Sequence, residues 1–589
     1  MSRQLARPRA GFFGLLSALP LVVSAWACSG GSGAREETTG ASDSGAEDTN
    51  GTDSVTSMGG GSSDGSSTDS GSTTTTAGGG SGGSDGGVKF DLNCEEAAMG
   101  APVLRMLTRQ EFGSTIDAVF PEVSGQWQNS LPANLVSMAG FDNAASNEVG
   151  EQMAEKLLES AEAVATVVSG SALGTILPCA SSTADSSCAL EFLAKYGQRL
   201  FRRPLTESER ERYLEFFDSA TSTADFPTAI HWITVGLIQS PFAVYRSEIG
   251  TDLGNGTRQL DAFELATELA YTYTGAPPSD DLLASAGRND LGDLSVLAEQ
   301  LLGTPAGAQA LQRFFEGYAQ YTRISSTQKP NVEDFETAKL DMIAETRAFI
   351  DQIVFQQGGG VRELLTSPTT NLSTKLAQYY GFDAPASDFA AVARPAGRGV
   401  GLLAQGSFLA THANANASSP TQRGVFTFMN LLCQPKPDLP DDVPDLAPAN
   451  PGVITTRQRY EETHAASAVC AGCHKKFDPI GFAFEHFDEG GRYRDQEVGL
   501  PIDATGTVID NNDTELFTFD GQEQLMNNLA DQSIVYQCFS AYLATYAFGT
   551  AESCLGQTRA ADLEAGTLGI AQAFAALTVE PHFTTRTAE

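Results

Sequence analysis

The chain has few basic residues for its size, and this shortage argues against one class of function. Its 589 residues include 36 lysines and arginines against 73 aspartates and glutamates, which gives a formal net charge of −37. A surface of that sign repels the phosphate backbone of nucleic acids and the head groups of anionic lipids. We therefore expect no nucleic-acid partner and no electrostatic attachment to a membrane.

The sequence also lacks the short motifs of several common enzyme classes. Outside the glycine- and serine-rich segment at residues 28–87, it contains no G-x-S-x-G elbow, no H-E-x-x-H zinc motif and no G-x-x-x-x-G-K phosphate loop. Gly397, Gly399 and Gly401 lack the spacing and context of a dinucleotide site and are predicted to form a turn. Nothing therefore predicts a conventional hydrolase or a nucleotide-binding enzyme.

The first residues have the features of an export signal. Arginines precede an apolar run over residues 11–27, so residues 1–27 are predicted to be a signal peptide rather than a transmembrane helix. The small residue Ala27 directly before Cys28 is similar to a bacterial lipobox, which predicts lipidation of Cys28. A plain secreted chain and a buried N-terminal helix are the alternatives.

A low-complexity segment follows the leader. Residues 28–87 consist almost entirely of glycine, serine, threonine, aspartate and glutamate, so they have too little apolar surface to offset the entropy of folding. We predict a disordered linker behind the lipidated cysteine. The expected location is that of an outer-membrane lipoprotein facing the periplasm or the cell surface, bound to the membrane by its lipid alone.

The rest of the chain is predicted to be mainly α: a multi-helical, multi-domain body with one small β-hairpin. Apolar residues recur with helical spacing, and Thr108 and Thr206 each begin a capping box. Two of the helices are expected at 226–245 and 307–325, and alternation at 499–519 predicts the hairpin. The predicted segments are an N-terminal helical domain at 88–180, a helical domain with the Arg-Arg-Pro-Leu-Thr motif at 181–250, a central helical domain at 255–390, a domain with a Cys-x-x-Cys-His motif at 395–500, and a C-terminal hairpin and helical domain at 501–589.

Nine cysteines have to be placed in an exported, oxidising setting. Apart from Cys28 and the cysteines of the Cys-x-x-Cys-His motif, six remain, an even number that favours disulfides. Proximity in sequence predicts the pairs Cys179–Cys188 and Cys538–Cys554. Elimination then leaves Cys94–Cys433 as the third pair, although sequence alone does not fix connectivity.

The most specific chemical signal is Cys470-Ala-Gly-Cys473-His474. Two thiols three residues apart and an adjacent imidazole are the pattern for covalent attachment of a c-type haem, with His474 as the proximal ligand of the iron. The cofactor expected is therefore covalent haem c. A short-range disulfide with a bystander histidine, a structural zinc site and a redox thiol pair are the alternatives.

The surroundings of the motif suggest further roles. The apolar run after His474 would shield a porphyrin edge, and a carbonyl at or just before Pro479 would accept from the second imidazole nitrogen. Arg492 and Arg494 would pair with haem propionates, or form a solvated basic pair. Asp510 to Asp513 is predicted to be a turn rather than a calcium loop. The candidates for the distal ligand are, by residue type, His464, His486 and His412, together with Met429 and Met526.

The chain resembles a family of exported multi-domain proteins from planctomycetes and myxobacteria. These proteins carry domains of unknown function fifteen-eighty-seven, fifteen-ninety-five, fifteen-ninety-two, fifteen-eighty-eight and fifteen-eighty-five, in that order. The stretches similar to these domains are Arg105–Phe112, Arg202–Thr206, Gln239–Arg246, Arg398–Leu403 with Ser419–Gly424 and Cys470–Asp488, and Cys538–Gly549 with Phe583 and Arg586. The resemblance implies a cytochrome-like protein that binds haem through Cys470, Cys473 and His474, but it implies no settled activity.

Three functions are compatible with these features. The first is electron transfer by an envelope-anchored lipoprotein with a monohaem c-type module, whose redox partner the sequence does not identify. The second is a haem enzyme of the peroxidase or oxygenase type that acts on an extracellular substrate. The third is a non-catalytic surface protein that binds polysaccharide, with a structural disulfide in place of the haem site.

Overall fold

The computed structural model describes residues 104–437 and 454–588, except residues 464, 466, 467, 552, 553 and 555, and also describes Phe90 and Leu92. The predicted signal peptide and linker, Cys28, Cys94 and His464 lie outside the described residues. Most of the proline-rich stretch after Cys433 lies outside them as well.

The N-terminal part is helical, and local sequence signals start its helices. Thr108 and Thr206 cap two of them, and in both cases the predicted capping box is present, with Glu111 and Glu209 as the reciprocal partners. The helices are Arg109–Val119, Glu151–Ser169, Leu173–Ile176, Ser186–Phe192, Gln198–Phe201, Glu207–Thr221, Phe226–Ile238 and Pro241–Val244, with a π-turn at Leu193–Gly197 and 3₁₀ turns at Pro121–Val123 and Pro178–Ser181.

The central part is also helical. Its first helix begins with a third capping box, formed by Asp261 and Glu264. The α-helices are Ala262–Thr274, Asp280–Gly287, Leu294–Leu302, Pro305–Ala319, Phe335–Ile350, Val361–Thr366 and Thr374–Tyr380, with a 3₁₀ helix at Tyr321–Ser326 and a π-helical extension at Asp351–Gln356. The strands Thr369–Leu372 and Ala390–Ala393 pair antiparallel next to the last helix.

The C-terminal part combines helices with the predicted hairpin. The α-helices are Gly406–Thr411, Pro420–Phe426, Thr456–Thr463, Ala468–Phe482, Gly521–Ala530, Ser533–Phe548, Gln557–Glu564, Ile570–Ala575 and Pro581–Thr584, with a π-turn at Thr427–Leu431 and 3₁₀ turns at Leu402–Ala404 and Ala576–Val579. Strands Thr505–Ile509 and Glu515–Asp520 form the hairpin, which confirms that part of the prediction. A short strand pair, Gln496–Glu497 with Leu500–Pro501, precedes it.

Two short sheets join distant parts of the chain. Strand Arg105–Met106 pairs with Tyr245–Arg246, and strand Thr585–Thr587 pairs with Thr257–Gln259, which also pairs with Thr251–Asp252. The sequence did not predict these strands, because segments of two or three residues are too short to show an alternating pattern.

The hydrophobic cores cross the predicted segment boundaries. The largest core cluster contains buried residues from Ala139 to Phe583 and so draws on both ends of the folded body. A second cluster runs from Met106 to Val244 with Tyr271, and a third lies between Ile324 and Ala410. The segments therefore pack as one body, although their chain order is linear. The fold class is mainly α with small β elements, as predicted.

Two predicted helices are shorter in the structure than the sequence suggested. The helix expected at 226–245 ends at Ile238, because Ser240 has the extended backbone that precedes a proline and Pro241 starts a new helix. The helix expected at 307–325 spans Pro305–Ala319 and ends where Gln320 takes a positive φ of 53°.

The disulfides differ from the predicted pairing. Cys179 and Cys188 are bonded, as expected, but Cys433 is bonded to Cys538 across 105 residues. The predicted pairs Cys538–Cys554 and Cys94–Cys433 are therefore wrong. The reason is that Cys538 lies on the buried side of helix Ser533–Phe548, where its sulfur is 3.3 Å from the carbonyl oxygen of Asn430. Cys554 is also disulfide-bonded.

Among the described residues, no helix combines the length and the hydropathy needed to cross a bilayer.

Candidate cofactor-attachment site

One helix, Ala468–Phe482, carries all three residues of the motif, and we call it the motif helix. Residues three and four positions apart share one face of a helix, so Cys470, Cys473 and His474 point to the same side. Both cysteines are free thiols of intermediate exposure. A Cβ atom added to Gly472, between them, would meet nothing within 4 Å. The two sulfurs are partly exposed on this face of the motif helix, and Cys473 also packs against the largest core cluster.

The motif helix packs closely on the short helix Pro420–Phe426, which we call the supporting helix. A Cβ atom on Gly424 would lie 1.9 Å from the carbonyl oxygen of Phe477, and one on Gly481 would lie 1.9 Å from that of Pro420. Any side chain at either position would clash with backbone, so two glycines allow the two helices to touch. This contact fixes the position of the motif helix on the core.

The supporting helix also reaches the motif histidine through a buried carboxylate. His474 Nδ1 is 2.8 Å from Asp478 Oδ2, and the hydroxyl of Thr421 donates to Asp478 Oδ1 at 2.6 Å. An ionised carboxylate only accepts hydrogen bonds, so a neutral ring in this contact carries its proton on Nδ1 and has its lone pair on Nε2. The side chain of Asp478 is 7% exposed, so this chain of hydrogen bonds is largely shielded from water.

This geometry changes one prediction. The partner of the imidazole is the side chain of Asp478, not a carbonyl at or before Pro479. The carbonyl of Pro479 faces the hairpin, where a Cβ atom on Gly506 would lie 2.5 Å from its oxygen. Sequence reasoning could have found Asp478, because it lies four residues after His474 on the same helix.

The apolar run after His474 is mostly part of the protein core. Phe477, Ile480 and Phe484 belong to the largest core cluster. Phe477 also contacts the ring of His474 edge-on, with 5.2 Å between the ring centroids. The run therefore anchors the motif helix, and of these three aromatic and aliphatic residues Phe477 is the one that borders the imidazole.

A turn of the hairpin docks against the same helix. Lys475 forms an ion pair with Asp513 at 2.8 Å, and Lys476 donates to the carbonyl oxygen of Asn511 at 2.6 Å. Asp510 accepts from the backbone amides of Asn512 and Thr514, as in an Asx turn. The Asp510 to Asp513 segment is therefore a turn, and its acidic end is paired with a lysine of the motif helix.

The arginines proposed for haem propionates already have protein partners. Arg492 pairs with Asp488 at 2.9 Å. Arg494 pairs with Glu485 at 3.2 Å and with Glu497 at 3.3 Å. These contacts support the folded segment after the motif helix, so a propionate role would require both arginines to exchange partners.

The structure also places the described candidates for the distal ligand. His412 is buried between Phe408 and Phe426, and this desolvation lowers its pKa to about 3. His486 is half-buried and stacks on Tyr493, with its Nδ1 3.0 Å from the carbonyl oxygen of Arg494.

Neither histidine is shown in contact with the motif residues. Met526 lies in the core cluster, Met429 is partly buried, and His464 falls outside the described residues. The structure thus unites Cys470, Cys473 and His474 and assigns no sixth ligand.

Arg423 is a structural residue of the site that its sequence alone did not explain. It is fully buried on the supporting helix and donates at 2.9 Å to four carbonyl oxygens, those of Leu409, Phe484, Phe487 and Asp488. Desolvation lowers its pKa to about 10. Arg423 therefore ties the segment after the motif helix to helix Gly406–Thr411.

The residues present fit a covalently attached haem. Two free thiols lie one turn apart on one face, and an imidazole whose Nδ1 is hydrogen-bonded to Asp478 follows them, which is the donor set that c-type attachment requires. Within the described part of the chain, no group of three or more His, Cys, Asp or Glu side chains is arranged to hold a metal ion by itself.

Three family models match the chain, and each is described as a protein of unknown function. PSD5 (DUF1595) matches residues 188–248, PSD4 (DUF1592) matches 260–382, and PSCyt3 (DUF1588) matches 399–497, a span that includes Cys470–His474. They follow one another in the order expected from the sequence resemblance. The two flanking domains of that resemblance, and the segment boundaries, stay predictions.

No curated protein matches the chain, and no solved structure does either. Three segments of the chain are thus similar, in this order, to PSD5, PSD4 and PSCyt3, each of them a domain of unknown function.

Proposed function

We propose that the chain is a monohaem c-type protein that transfers electrons in the cell envelope. The observation that carries this proposal is the shared face of Cys470, Cys473 and His474, with both thiols free and the imidazole held by Asp478. Bound haem would supply one-electron chemistry at its iron.

The attachment follows from the chemistry of the two thiols. Each S–H would add across one vinyl group of haem: the sulfur bonds to the carbon next to the ring, and the hydrogen goes to the outer carbon. The addition consumes no oxidant and leaves the iron unchanged. His474 would bind the iron through Nε2, because Nδ1 is committed to Asp478. The motif helix would not have to move as a whole, since Gly424 and Gly481 already seat it on the core.

Two further features support the proposal. The matched family that spans the motif is named PSCyt3, a name that points to cytochrome-like domains. The leader, Cys28 and the linker at residues 28–87 fit an exported lipoprotein, whose folded body would reach a partner from a lipid anchor. Haem attachment of this type suits that compartment, and the free pair Cys470 and Cys473 contrasts with the oxidised Cys433–Cys538.

The test is expression of the full chain with its leader in a host that has c-type haem maturation machinery. We expect a Soret band, a sharp α band after reduction, and a denatured-chain mass increased by one haem. The double variant Cys470→Ala/Cys473→Ala is the matched control and should lose the covalent haem. A colourless wild-type chain, in a host that matures another c-type cytochrome at the same time, would refute the proposal.

A haem enzyme is the second candidate, and the contact between the carboxylate of Asp478 and Nδ1 of His474 favours it. A carboxylate that accepts from Nδ1 makes the imidazole a stronger electron donor, which helps an iron site that activates peroxide or oxygen. Adding cyanide to the ferric protein separates the two candidates. A rapid spectral change indicates an open sixth position and supports the enzyme, whereas an unchanged spectrum indicates a six-coordinate carrier.

A further inference from the structure

The imidazole of His474 is hydrogen-bonded to the carboxylate of Asp478, and the hydroxyl of Thr421 on the supporting helix donates to the same carboxylate. Asp478 Oδ2 is 2.8 Å from His474 Nδ1, and Thr421 donates to Asp478 Oδ1 at 2.6 Å. We propose that Asp478 and Thr421 are positioning residues for the axial imidazole, which fix its tautomer and set its donor strength toward the haem iron. This inference rests on the proposed function and names the two residues that would tune the imidazole ligand.

The burial of Asp478 gives its hydrogen bond to the imidazole unusual weight. Asp478 as a residue is 5% exposed, and it lies where the motif helix and the supporting helix meet. A hydrogen bond to an ionised group is stronger than a neutral one, and a low local dielectric strengthens it further. Thr421 is a neutral donor, so it orients the carboxylate without cancelling its charge.

That charge has a predictable effect on the iron. A carboxylate that accepts from one imidazole nitrogen raises the basicity of the other nitrogen, here Nε2. A more basic ligand stabilises ferric over ferrous iron, because the ferric ion carries the higher positive charge. In a haem-loaded chain, Asp478 would thus lower the midpoint potential and strengthen the bond between His474 and the iron.

The chain offers a matched control for this effect. Asp513 is a second aspartate at the motif helix, but it is exposed and bonds to Lys475 rather than to the imidazole. In the haem-loaded full chain, Asp478→Asn should raise the midpoint potential and lower the iron–histidine stretching frequency in resonance Raman spectra. Asp513→Asn removes the same charge near the same helix and should shift the potential much less. Asp478→Glu, which restores the carboxylate, should return the potential toward the wild-type value.

Removal of the Thr421 hydroxyl should shift the midpoint potential in the opposite direction to Asp478→Asn. Thr421→Val removes a donor from Asp478, so the carboxylate holds the imidazole proton more strongly and the potential should fall. Opposite shifts from Asp478→Asn and Thr421→Val are not expected if both residues merely maintain packing. Thr421→Val also keeps the volume of the side chain, so it tests the idea even if Asp478→Asn does not fold.

A haem-free measurement separates this inference from the proposed function. The ¹⁵N spectrum of the haem-free full chain, labelled on histidine and assigned with His474→Gln, should show a proton on Nδ1 of His474 that is lost or exchanged in Asp478→Asn. A wild-type chain that takes up no haem defeats the proposed function but leaves this readout in place. The inference is overturned if Asp478→Asn changes neither the potential nor the imidazole spectrum, or if Asp513→Asn has an equal effect.

Discussion

Two glycines of the motif helix allow a stringent test of how that helix is seated. Gly481 and Gly472 lie on the same helix, and each can be replaced by alanine. At Gly481 the new Cβ would lie 1.9 Å from the carbonyl oxygen of Pro420, which is backbone and cannot rotate away. At Gly472 the new Cβ would meet nothing within 4 Å.

The two substitutions should have opposite effects on the free energy of unfolding. Alanine in a helix interior is favoured over glycine by roughly 0.5–1 kcal/mol, so Gly472→Ala should stabilise by about that amount. Overpacking costs roughly 1–3 kcal/mol, and more where rigid backbone must move. After the gain in helix propensity is subtracted, Gly481→Ala should still destabilise by about 1–2 kcal/mol or more. The two variants should thus differ by about 1.5–3 kcal/mol or more.

Urea unfolding of the purified full chain, followed by far-ultraviolet circular dichroism, measures this difference as a shift in midpoint at constant slope. If the wild-type chain carries the proposed haem, Gly472→Ala should carry it as well, because its methyl group points into open space. The reasoning fails if Gly481→Ala unfolds at the same urea concentration as Gly472→Ala, since the contact with Pro420 would then not exist.

Three further predictions concern other parts of the fold. The pKa of buried His412 is lowered to about 3, so the unfolded chain takes up a proton at this residue before the folded chain does. Stability should fall by about 2 kcal/mol from this residue between about pH 7 and about pH 5, and His412→Phe should remove that part of the loss in thermal melts across this range. Replacing Cys433 and Cys538 by alanine should lower the free energy of unfolding by about 4–5 kcal/mol, whereas replacing Cys179 and Cys188 should lower it by about 2–3 kcal/mol. The reason is that the first bridge closes a far longer loop. Equal urea midpoints for the two double variants would contradict this. Arg423→Met should destabilise by roughly 3–5 kcal/mol because four buried carbonyl oxygens lose their donor, whereas Arg492→Met, whose ion pair is partly exposed, should cost less than about 1 kcal/mol in the same assay.

Local signals made the helical fold predictable. Thr108 and Thr206 begin helices because their hydroxyls and the following glutamates bond within four residues, and such patterns are visible in the sequence. The strand pairs at Arg105–Met106 and Thr585–Thr587 were not predicted, because each depends on a partner more than 100 residues away. The ends of two helices were also misplaced, since Gln320 and Ser240 stop them through backbone conformation.

The candidate site likewise has a part that the sequence predicts and a part that only the packing explains. Cys470, Cys473 and His474 are adjacent in sequence, so their shared helix face followed from helical geometry. Asp478 lies four residues after His474 on the same helix, so its contact with the imidazole could also have been predicted. Thr421 lies 57 residues before Asp478, and Arg423 lies 61 residues or more before three of the four residues whose carbonyls it binds, so only the packing of the two helices brings these groups together. The pairing of Cys433 with Cys538 is likewise a consequence of tertiary structure.

The bridge between Cys433 and Cys538 encloses residues 434–537, and Cys470 and Cys473 lie inside that covalent ring. If the chain carries the proposed covalent haem, the bond between Cys433 and Cys538 has to form while Cys470 and Cys473, within the same stretch of chain, stay reduced until the haem arrives. A bond from Cys433 to Cys470 or Cys473 formed before that point would occupy a thiol that the cofactor needs and would leave Cys538 without its partner. On the proposed function, correct assembly therefore depends on the order in which the disulfide and thioether bonds form.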